Sequence, residues 1–246
     1  MRWFIAGSDT EVGKTEFTAY LIGVMRSAGI RVGAVKPFCS GSLSDLERLS
    51  AALGGDEPPL SLCWRYLDEP IAPFVALHMR GESLDLEDLK RWTMEKASEV
   101  DVLLIEGIGG LMTPLAEGYT NLEMAKQLAE RVAMVVPNVL GSLNATLLTM
   151  AALKGQGLDQ AVYVVNDRNE DLGFDKDQNF RAIERLCEPL PVCRIPYMPV
   201  VEEVEGFVGG IGGIGGGLEE KIKKALAGMF GFGSFLVPLR EGGARE

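Results

Sequence analysis

Six short runs of apolar, mostly β-branched residues punctuate the chain, at Arg2–Ala6, Arg31–Lys36, Asp101–Glu106, Val132–Pro137, Ala161–Asn166 and Pro191–Ile195. Runs that are apolar throughout, rather than alternating, are the pattern of strands buried on both faces. Between them the spacing changes. Phe17, Tyr20, Leu21, Val24, Met25 and Ala28 fall on one face of a helix, which Gly29 is placed to end in a left-handed cap. Ser44-x-x-Glu47 and Thr120-x-x-Glu123 have the form of capping boxes, and Ser83, followed by Asp85, Glu87 and Asp88, predicts a third helix start. Strands alternating with helices predict an α/β fold, a mostly parallel sheet with helices on both faces. In such a sheet, ligands bind at the carboxyl ends of the strands.

This pattern fills residues 1–205, read as one domain. Residues 206–217 read GFVGGIGGIGGG, too rich in glycine to hold a packed element unaided, and predict a linker. In residues 218–246, Leu218, Ile222, Ala225, Leu226, Met229 and Phe230 share a helical face, which predicts one amphipathic helix and then a tail of unassigned role.

Charge and composition narrow the function. The formal net charge is −11 over 246 residues, which argues against a general nucleic-acid or anionic-membrane binder. Apolar runs stop short of the roughly 18 residues that span a bilayer, and the opening MRWFIAGSDT turns polar too soon for a signal peptide. Cys39, Cys63, Cys187 and Cys193 stand at unrelated spacings. They suggest no disulfide framework or zinc site, so the expected compartment is a reducing cytoplasm.

The strongest chemical signal is GSDTEVGKT, Gly7–Thr15, directly after the first strand and opening the first helix. Successive backbone N–H groups there can surround phosphate oxygens. Lys14 is placed to reach the β- and γ-phosphates and the Thr15 hydroxyl to bind Mg²⁺. The usual P-loop has glycine where this chain has Ser8; here the glycine lies one residue earlier, at Gly7. A second signal is the apolar strand ending in Glu106, which would present a carboxylate to Mg²⁺, followed by Gly107, Gly109 and Gly110. Lys36, at the end of the second strand, points to the same phosphate edge. Asp45 offers a second metal carboxylate or simply an acid in the first turn of a helix. His78, the one histidine, lies in an apolar stretch and reads as a hydrogen-bonded packing residue, which leaves familiar nucleophile triads without a second candidate base.

These stretches, in this order, resemble dethiobiotin synthetase, a family of P-loop ligases. The resemblance is carried by GSDTEVGKT with its displaced glycine, KPFCSG (Lys36–Gly41), IEGIGGLMTPL (Ile105–Leu115), GSLNATLLT (Gly141–Thr149), VVND (Val164–Asp167) and IPYMP (Ile195–Pro199). It covers residues 1 to about 203 and implies a P-loop NTPase-like three-layer sandwich. It further implies a cytoplasmic homodimer that takes MgATP, CO₂ and 7,8-diaminononanoate, with the active site near the subunit interface. The diamine forms a carbamate, ATP phosphorylates it, and ring closure releases phosphate.

By the resemblance, Glu11, Val12, Gly13, Lys14, Thr15 and Glu16 hold the nucleotide phosphates, with Glu106, Gly107, Ile108 and Gly109 alongside. Thr15, Asp45 and Glu106 hold Mg²⁺. Lys36 is the catalytic lysine, assisted by Lys14, and Ser40 touches substrate. Asn166, Asp167, Pro196, Tyr197 and Glu203 surround the adenine. Gly141, Ser142, Leu143 and Asn144 receive the substrate carboxylate across the dimer interface. Three stretches depart from the family. The segment between Ser40 and Asp45 is short, which leaves Glu47 as an alternative ligand; Leu53–Trp64 matches no family motif; and nothing after about residue 205 is similar. The alternatives are a P-loop switch ATPase, whose usual extra lysine is missing from Gly7–Gly13, and a related P-loop ligase with another small substrate.

Overall fold

The computed structural model describes residues 1–158, 161–167 and 175–197. Glu203, the glycine-rich linker and the amphipathic helix lie outside the described residues.

In chain order the elements are β1 (Arg2–Gly7), α1 (Lys14–Ser27), β2 (Val32–Val35), β3 (Phe38–Ser40), α2 (Ser44–Leu53), a 3₁₀ turn (Pro59–Leu62), β4 (Arg65–Leu67), α3 (Pro73–Arg80), α4 (Leu86–Ser98), β5 (Val102–Glu106), β6 (Pro114–Ala116), β7 (Tyr119–Thr120), α5 (Asn121–Leu128), β8 (Arg131–Pro137), α6 (Ser142–Gly155), β9 (Val162–Asn166), α7 (Lys176–Cys187) and β10 (Val192–Ile195). The six apolar runs form one six-stranded sheet, in the order β10-β9-β8-β1-β5-β2. Every pairing within it is parallel.

Burial on both faces is visible residue by residue, because successive side chains of a strand point to opposite sides. Trp3 and Ile5 of β1 and Val102 and Leu104 of β5 join one cluster with Phe17, Leu21 and Met25 of α1 and Leu46 and Leu49 of α2. Their neighbours Phe4, Ala6, Leu103 and Ile105 join the opposite cluster, with Leu89 of α4, Leu122 and Met124 of α5, Leu153 of α6 and Ile183 of α7. The architecture is a three-layer α/β sandwich.

Helix ends follow the sequence in part. Gly29, at φ 71°, donates to Arg26 O, while Ile30 N donates to Met25 O, the two bonds of a Schellman cap. The Thr120–Glu123 capping box forms. The Ser44–Glu47 box does not: Leu43 is the N-cap without a side-chain bond, and Ser44 N donates instead to Ser42 Oγ. Asp85, not Ser83, caps α4, accepting from Glu87 and Asp88 N. Asp85 stands two and three residues ahead of the N–H groups it accepts from, the N-cap position, whereas Ser83 stands two residues too early.

His78 is not a packing residue. It is exposed in the last turn of α3, where its ring stacks on Phe74 with centroids 6.4 Å apart. The four cysteines are all free. Among the described residues, no helix is long and apolar enough to cross a membrane.

Candidate functional site

The sheet order brings three chain segments to one edge. β5 lies between β1 and β2, with Ile5 level with Glu106 and Val35 level with Ile105. The loop after β1, the carboxylate ending β5 and the lysine one residue past β2 therefore emerge side by side. The stretch Leu53–Trp64, which matches no family motif, helps to fix the last of these. Lys36 N donates to Leu62 O at 2.8 Å, and Arg65 N to Pro37 O at 2.8 Å.

The loop Gly7–Gly13 curls over the start of α1. Lys14 Nζ reaches back to Asp9 O at 3.0 Å, and Gly7 explains the displaced glycine. A Cβ there would lie 2.9 Å from Lys14 Nζ, 2.9 Å from Asp9 O and 2.9 Å from Val12 Cγ2. Gly13 is left-handed at φ 94° and faces Asn166 so closely that a Cβ would meet its Nδ2 at 2.1 Å. Asn166 Nδ2 donates to Val12 O at 3.0 Å, so the end of β9 is fastened to the loop. Glu11 is a non-glycine residue at positive φ, 56°.

Glu106 is fully buried and surrounded by donors. Its Oε1 accepts from Thr15 Oγ1 and from Lys36 Nζ, each at 2.7 Å. Its Oε2 accepts from Thr18 Oγ1 at 2.8 Å, a hydroxyl that also reaches Lys14 O at 2.9 Å. Lys36, 3% exposed, bridges to Asp45 Oδ2 at 2.8 Å. A buried charge survives only when paired and hydrogen-bonded, and this cluster meets that condition with two carboxylates around one ammonium.

The two lysines respond oppositely to their surroundings. Burial, reinforced by the Lys36 charge, brings Lys14 from 10.5 down to about 8. Burial also works to lower Lys36, but the carboxylates of Glu106 and Asp45 outweigh it and raise it above its ordinary value. Burial tends to raise Asp45; Lys36 and a hydrogen bond from Thr15 prevail and hold it below the usual carboxylate range.

Lys14, Thr15, Lys36 and Asp45 line a cleft of about 320 Å³ with Glu11, Gly13, Glu16, Ser40, Ile108 and Gly109, and Glu106 lies buried behind Thr15 and Lys36. Thr10 and Cys39 line it too, without having been read from the sequence. Burial pushes the Cys39 thiol up to about 11, which keeps it from acting as a thiolate nucleophile at neutral pH. Glu47 is exposed and away from the cleft lining, whereas Asp45 is in it. Thr15, Asp45 and Glu106 offer only oxygen donors, the set a hard ion such as Mg²⁺ accepts when phosphate and water oxygens complete its shell. Among the described residues, no group of three or more His, Cys, Asp or Glu side chains could hold a metal alone.

Other expected site residues are distributed differently. Val12 is buried and contributes its carbonyl. Gly107 lies over Phe4 and Asn121, its N–H donating to Ile5 O, so it extends the sheet beneath the cleft. Asp167 is buried; Asn138 Nδ2 donates to its Oδ1 at 2.6 Å, and Arg194 Nη2 lies 2.8 Å from its Oδ2. Its carboxylate is engaged inside the protein. Pro196 and Tyr197 follow β10, Tyr197 being 39% exposed. Gly141, Leu143 and Asn144 are exposed at the start of α6, away from the cleft of their own chain, while Ser142 is turned inward.

Two residues missed in the sequence complete the geometry. Thr18 lies one turn after Lys14 on α1, so its contact with Glu106 was available from helical periodicity once the P-loop was placed. Asn121 Nδ2 donates to Ile108 O at 2.5 Å and Gly110 O at 2.7 Å, pinning the glycine loop after β5. Only the fold brings that pair together.

A family profile described as an AAA domain matches residues 1–205. The chain is 34% identical over 204 residues to the ATP-dependent dethiobiotin synthetase BioD of Anaeromyxobacter sp. (strain Fw109-5), covering 81% of this chain and 92% of the relative. It is 30% identical over 204 residues to the enzyme of the same name from Ralstonia nicotianae, covering 80% and 89%. Among solved structures, a putative plasmid partition protein from Borrelia burgdorferi bound to AMPPNP superposes with TM-score 0.53 at 9% identity, covering 93% of this chain and 97% of that one. The MinC:MinD cell division complex of Aquifex aeolicus gives 0.51 at 15% identity, covering 80% and 82%. These two likenesses concern the fold. With its P-loop built as the site requires, and with matching sequence along nearly the whole length of those relatives, the chain belongs to the ATP-dependent dethiobiotin synthetase family.

Proposed function

We propose that the protein is an ATP- and Mg²⁺-dependent ligase that carboxylates 7,8-diaminononanoate with CO₂ and closes the ring of dethiobiotin. The observation that carries this reading is the pair of buried ammonium groups, Lys14 and Lys36, on one cleft with Asp45, Lys36 being backed by the buried Glu106 carboxylate. Phosphoryl transfer asks for charge neutralisation and alignment rather than for a covalent nucleophile. A thiol held up near 11 at Cys39 and a histidine far out on α3 agree with that demand.

One amine of the diamine, as free base, bonds to CO₂ and loses a proton, giving a carbamate. The carbamate is already an anionic nucleophile. Its oxygen attacks the γ-phosphorus of ATP as the bond to ADP breaks. The second amine then attacks the carbamoyl carbon, and inorganic phosphate leaves. Lys36 stabilises the negative charge on the carbamate and the transferring phosphoryl group, and Lys14 that on the β- and γ-phosphates. Thr15, Asp45 and Glu106 would hold Mg²⁺, which neutralises charge between the phosphates. Thr18 keeps the Glu106 carboxylate turned toward Thr15.

The nucleotide base would lie toward Asn166, Pro196 and Tyr197, and Ser40 would touch the diamine. A homodimer is part of the reading. Leu143, Leu147 and Leu148 present an exposed apolar row along α6, at 36, 46 and 62%, and Leu140, 92% exposed, precedes the helix. That row supports a subunit contact through which the first turn of α6 would receive the substrate carboxylate of the partner subunit.

Incubation with the diamine, ATP, Mg²⁺ and labelled bicarbonate is expected to yield labelled dethiobiotin and one phosphate per ring closed. Nucleotide binding without product formation would overturn the reading.

A further inference from the structure

Asn138 follows β8 directly and is fully buried. Its backbone N–H donates to Asn166 O at 2.8 Å. Its Nδ2 donates to Asp167 Oδ1 at 2.6 Å and to Lys176 O at 3.2 Å. Both partners are acceptors only, which fixes the orientation of the amide and leaves Oδ1 to accept. It accepts from Asn179 Nδ2 of α7 at 2.6 Å. The same Nδ2 donates to Ser142 Oγ at 2.9 Å. Ser142 is the first residue of α6 and 2% exposed. A single chain of side-chain bonds thus runs Asp167–Asn138–Asn179–Ser142, from the end of β9 to the first turn of α6.

The turn at the far end is otherwise held by backbone bonds, Ser142 N donating to Val139 O and Ala145 N to Gly141 O, each at 3.1 Å. Its N-cap is Gly141, left-handed at φ 96° and without a side-chain cap bond. Leu140, just before it, is 92% exposed. At the near end the position of Asp167 is set by Arg194, whose Nη2 lies 2.8 Å from Oδ2, and by its own N–H donating to Ile195 O at 2.9 Å. The neighbouring Asn166 is fastened to the P-loop through Val12 O. A displacement at either end therefore has a short, continuously hydrogen-bonded route to the other, through a buried Asn138 and Ser142 and a half-buried Asn179, and low-dielectric surroundings strengthen such a chain of bonds.

We propose that Asn138 and Asn179 are positioning residues that couple the nucleotide site to the substrate-carboxylate site. Ordering of Asn166–Asp167 by nucleotide holds the first turn of α6 in the geometry that accepts the carboxylate. The inference rests on the reading that this turn receives the substrate. Coupling of this sort is reciprocal: bound substrate strengthens nucleotide binding by the same factor.

The test uses the full chain as wild type and as Asn179→Ala, Ser142→Ala and Ser142→Thr. Diamine affinity is measured by calorimetry with and without a non-hydrolysable ATP analogue, beside steady-state kinetics and thermal melting. Nucleotide is expected to tighten diamine binding by about tenfold in the wild type. In Asn179→Ala and Ser142→Ala that factor falls to about one, with the diamine KM at saturating ATP raised about tenfold and the affinity for the ATP analogue alone, without diamine, unchanged to within about twofold. Ser142→Thr keeps the hydroxyl and the coupling. Unchanged coupling in Asn179→Ala overturns the inference, as does a weaker affinity for the ATP analogue alone that tracks a lower melting temperature, the mark of a merely structural role. An active wild type with an unaltered Asn179→Ala removes the inference alone; a wild type that ignores the diamine removes it together with the functional reading.

Discussion

Gly7 lies beneath the Lys14 ammonium, so close that any Cβ would stand 2.9 Å from Nζ. The glycine that appears out of place in the P-loop sequence is the one this loop needs, because the lysine folds back over it toward Asp9 O. Gly7→Ala is expected to weaken nucleotide binding at least about tenfold by driving Lys14 from its seat. Ser8→Gly, which restores the more usual spacing, should leave affinity within about threefold of wild type if Gly7 is kept. Titration with a fluorescent nucleotide separates the two.

Lys36 is the counter-ion of a fully buried carboxylate. Lys36→Met should cut kcat by about a thousandfold or more through lost charge stabilisation, with nucleotide affinity largely retained. It should also cost about 3–5 kcal/mol of stability, because Glu106 loses its buried cation. Denaturant melts of the variant against Lys36→Met combined with Glu106→Gln check this: the second change is expected to return part of the loss. No recovery would mean that the charge on Glu106 is not the cause.

Thr18 acts on the metal carboxylates through Glu106, whose Oε2 accepts from its hydroxyl. Thr18→Val is expected to raise the Mg²⁺ concentration for half-maximal turnover by about ten- to a hundredfold, while Thr18→Ser restores it. A fall in kcat with unchanged Mg²⁺ dependence would place Thr18 outside this role.

Lys14 makes nucleotide binding depend on pH with a definite sign. Its value in the free protein is about 8, against an ordinary 10.5, and phosphates at the loop would raise it again. Binding above about pH 8 therefore takes up a proton, and affinity falls by up to about tenfold for each pH unit until the bound-state value is passed. The sign for stability is opposite to that of a lysine gaining a partner. The folded form holds fewer protons than the unfolded chain between about 8 and 10.5, so this group's contribution to stability rises with pH across that window. Calorimetry with ADP in EDTA, near pH 9 in two buffers of different ionisation heat, should register proton uptake; equal heats would contradict it.

The main sheet was legible because continuous apolar runs have few other fates in a chain of this composition. All six became its strands within about a residue at most ends. β3, β4, β6 and β7 were not legible. They are two or three residues long and are made by pairing, as when Arg65–Leu67 finds Phe38–Ser40. Lys14, Thr15 and Glu106 were readable from spacing, since a loop between strand and helix fixes its own geometry. Asp45 became distinguishable from Glu47 only once Lys36 stood beside it. Asn121, Asn138 and Asn179 carry no local signature, because their partners are distant in sequence and an asparagine between elements looks like any turn residue.

The order of strands has a consequence for how the molecule comes into being. β1 leaves the ribosome first, yet its neighbours in the sheet are β5 and β8, and Thr15 meets Glu106 across 91 residues of chain. Neither β1 nor β2 has a sheet partner until the segment ending at Glu106 has been made, and β1 gains its second neighbour only with β8, which ends at Pro137. Such long closures are slow, and until β5 is in place Thr15 and Lys36 lack the Glu106 carboxylate that joins them. A nucleotide that binds across these joined strands favours the folded state over every chain in which they are apart, and so prolongs the life of the enzyme.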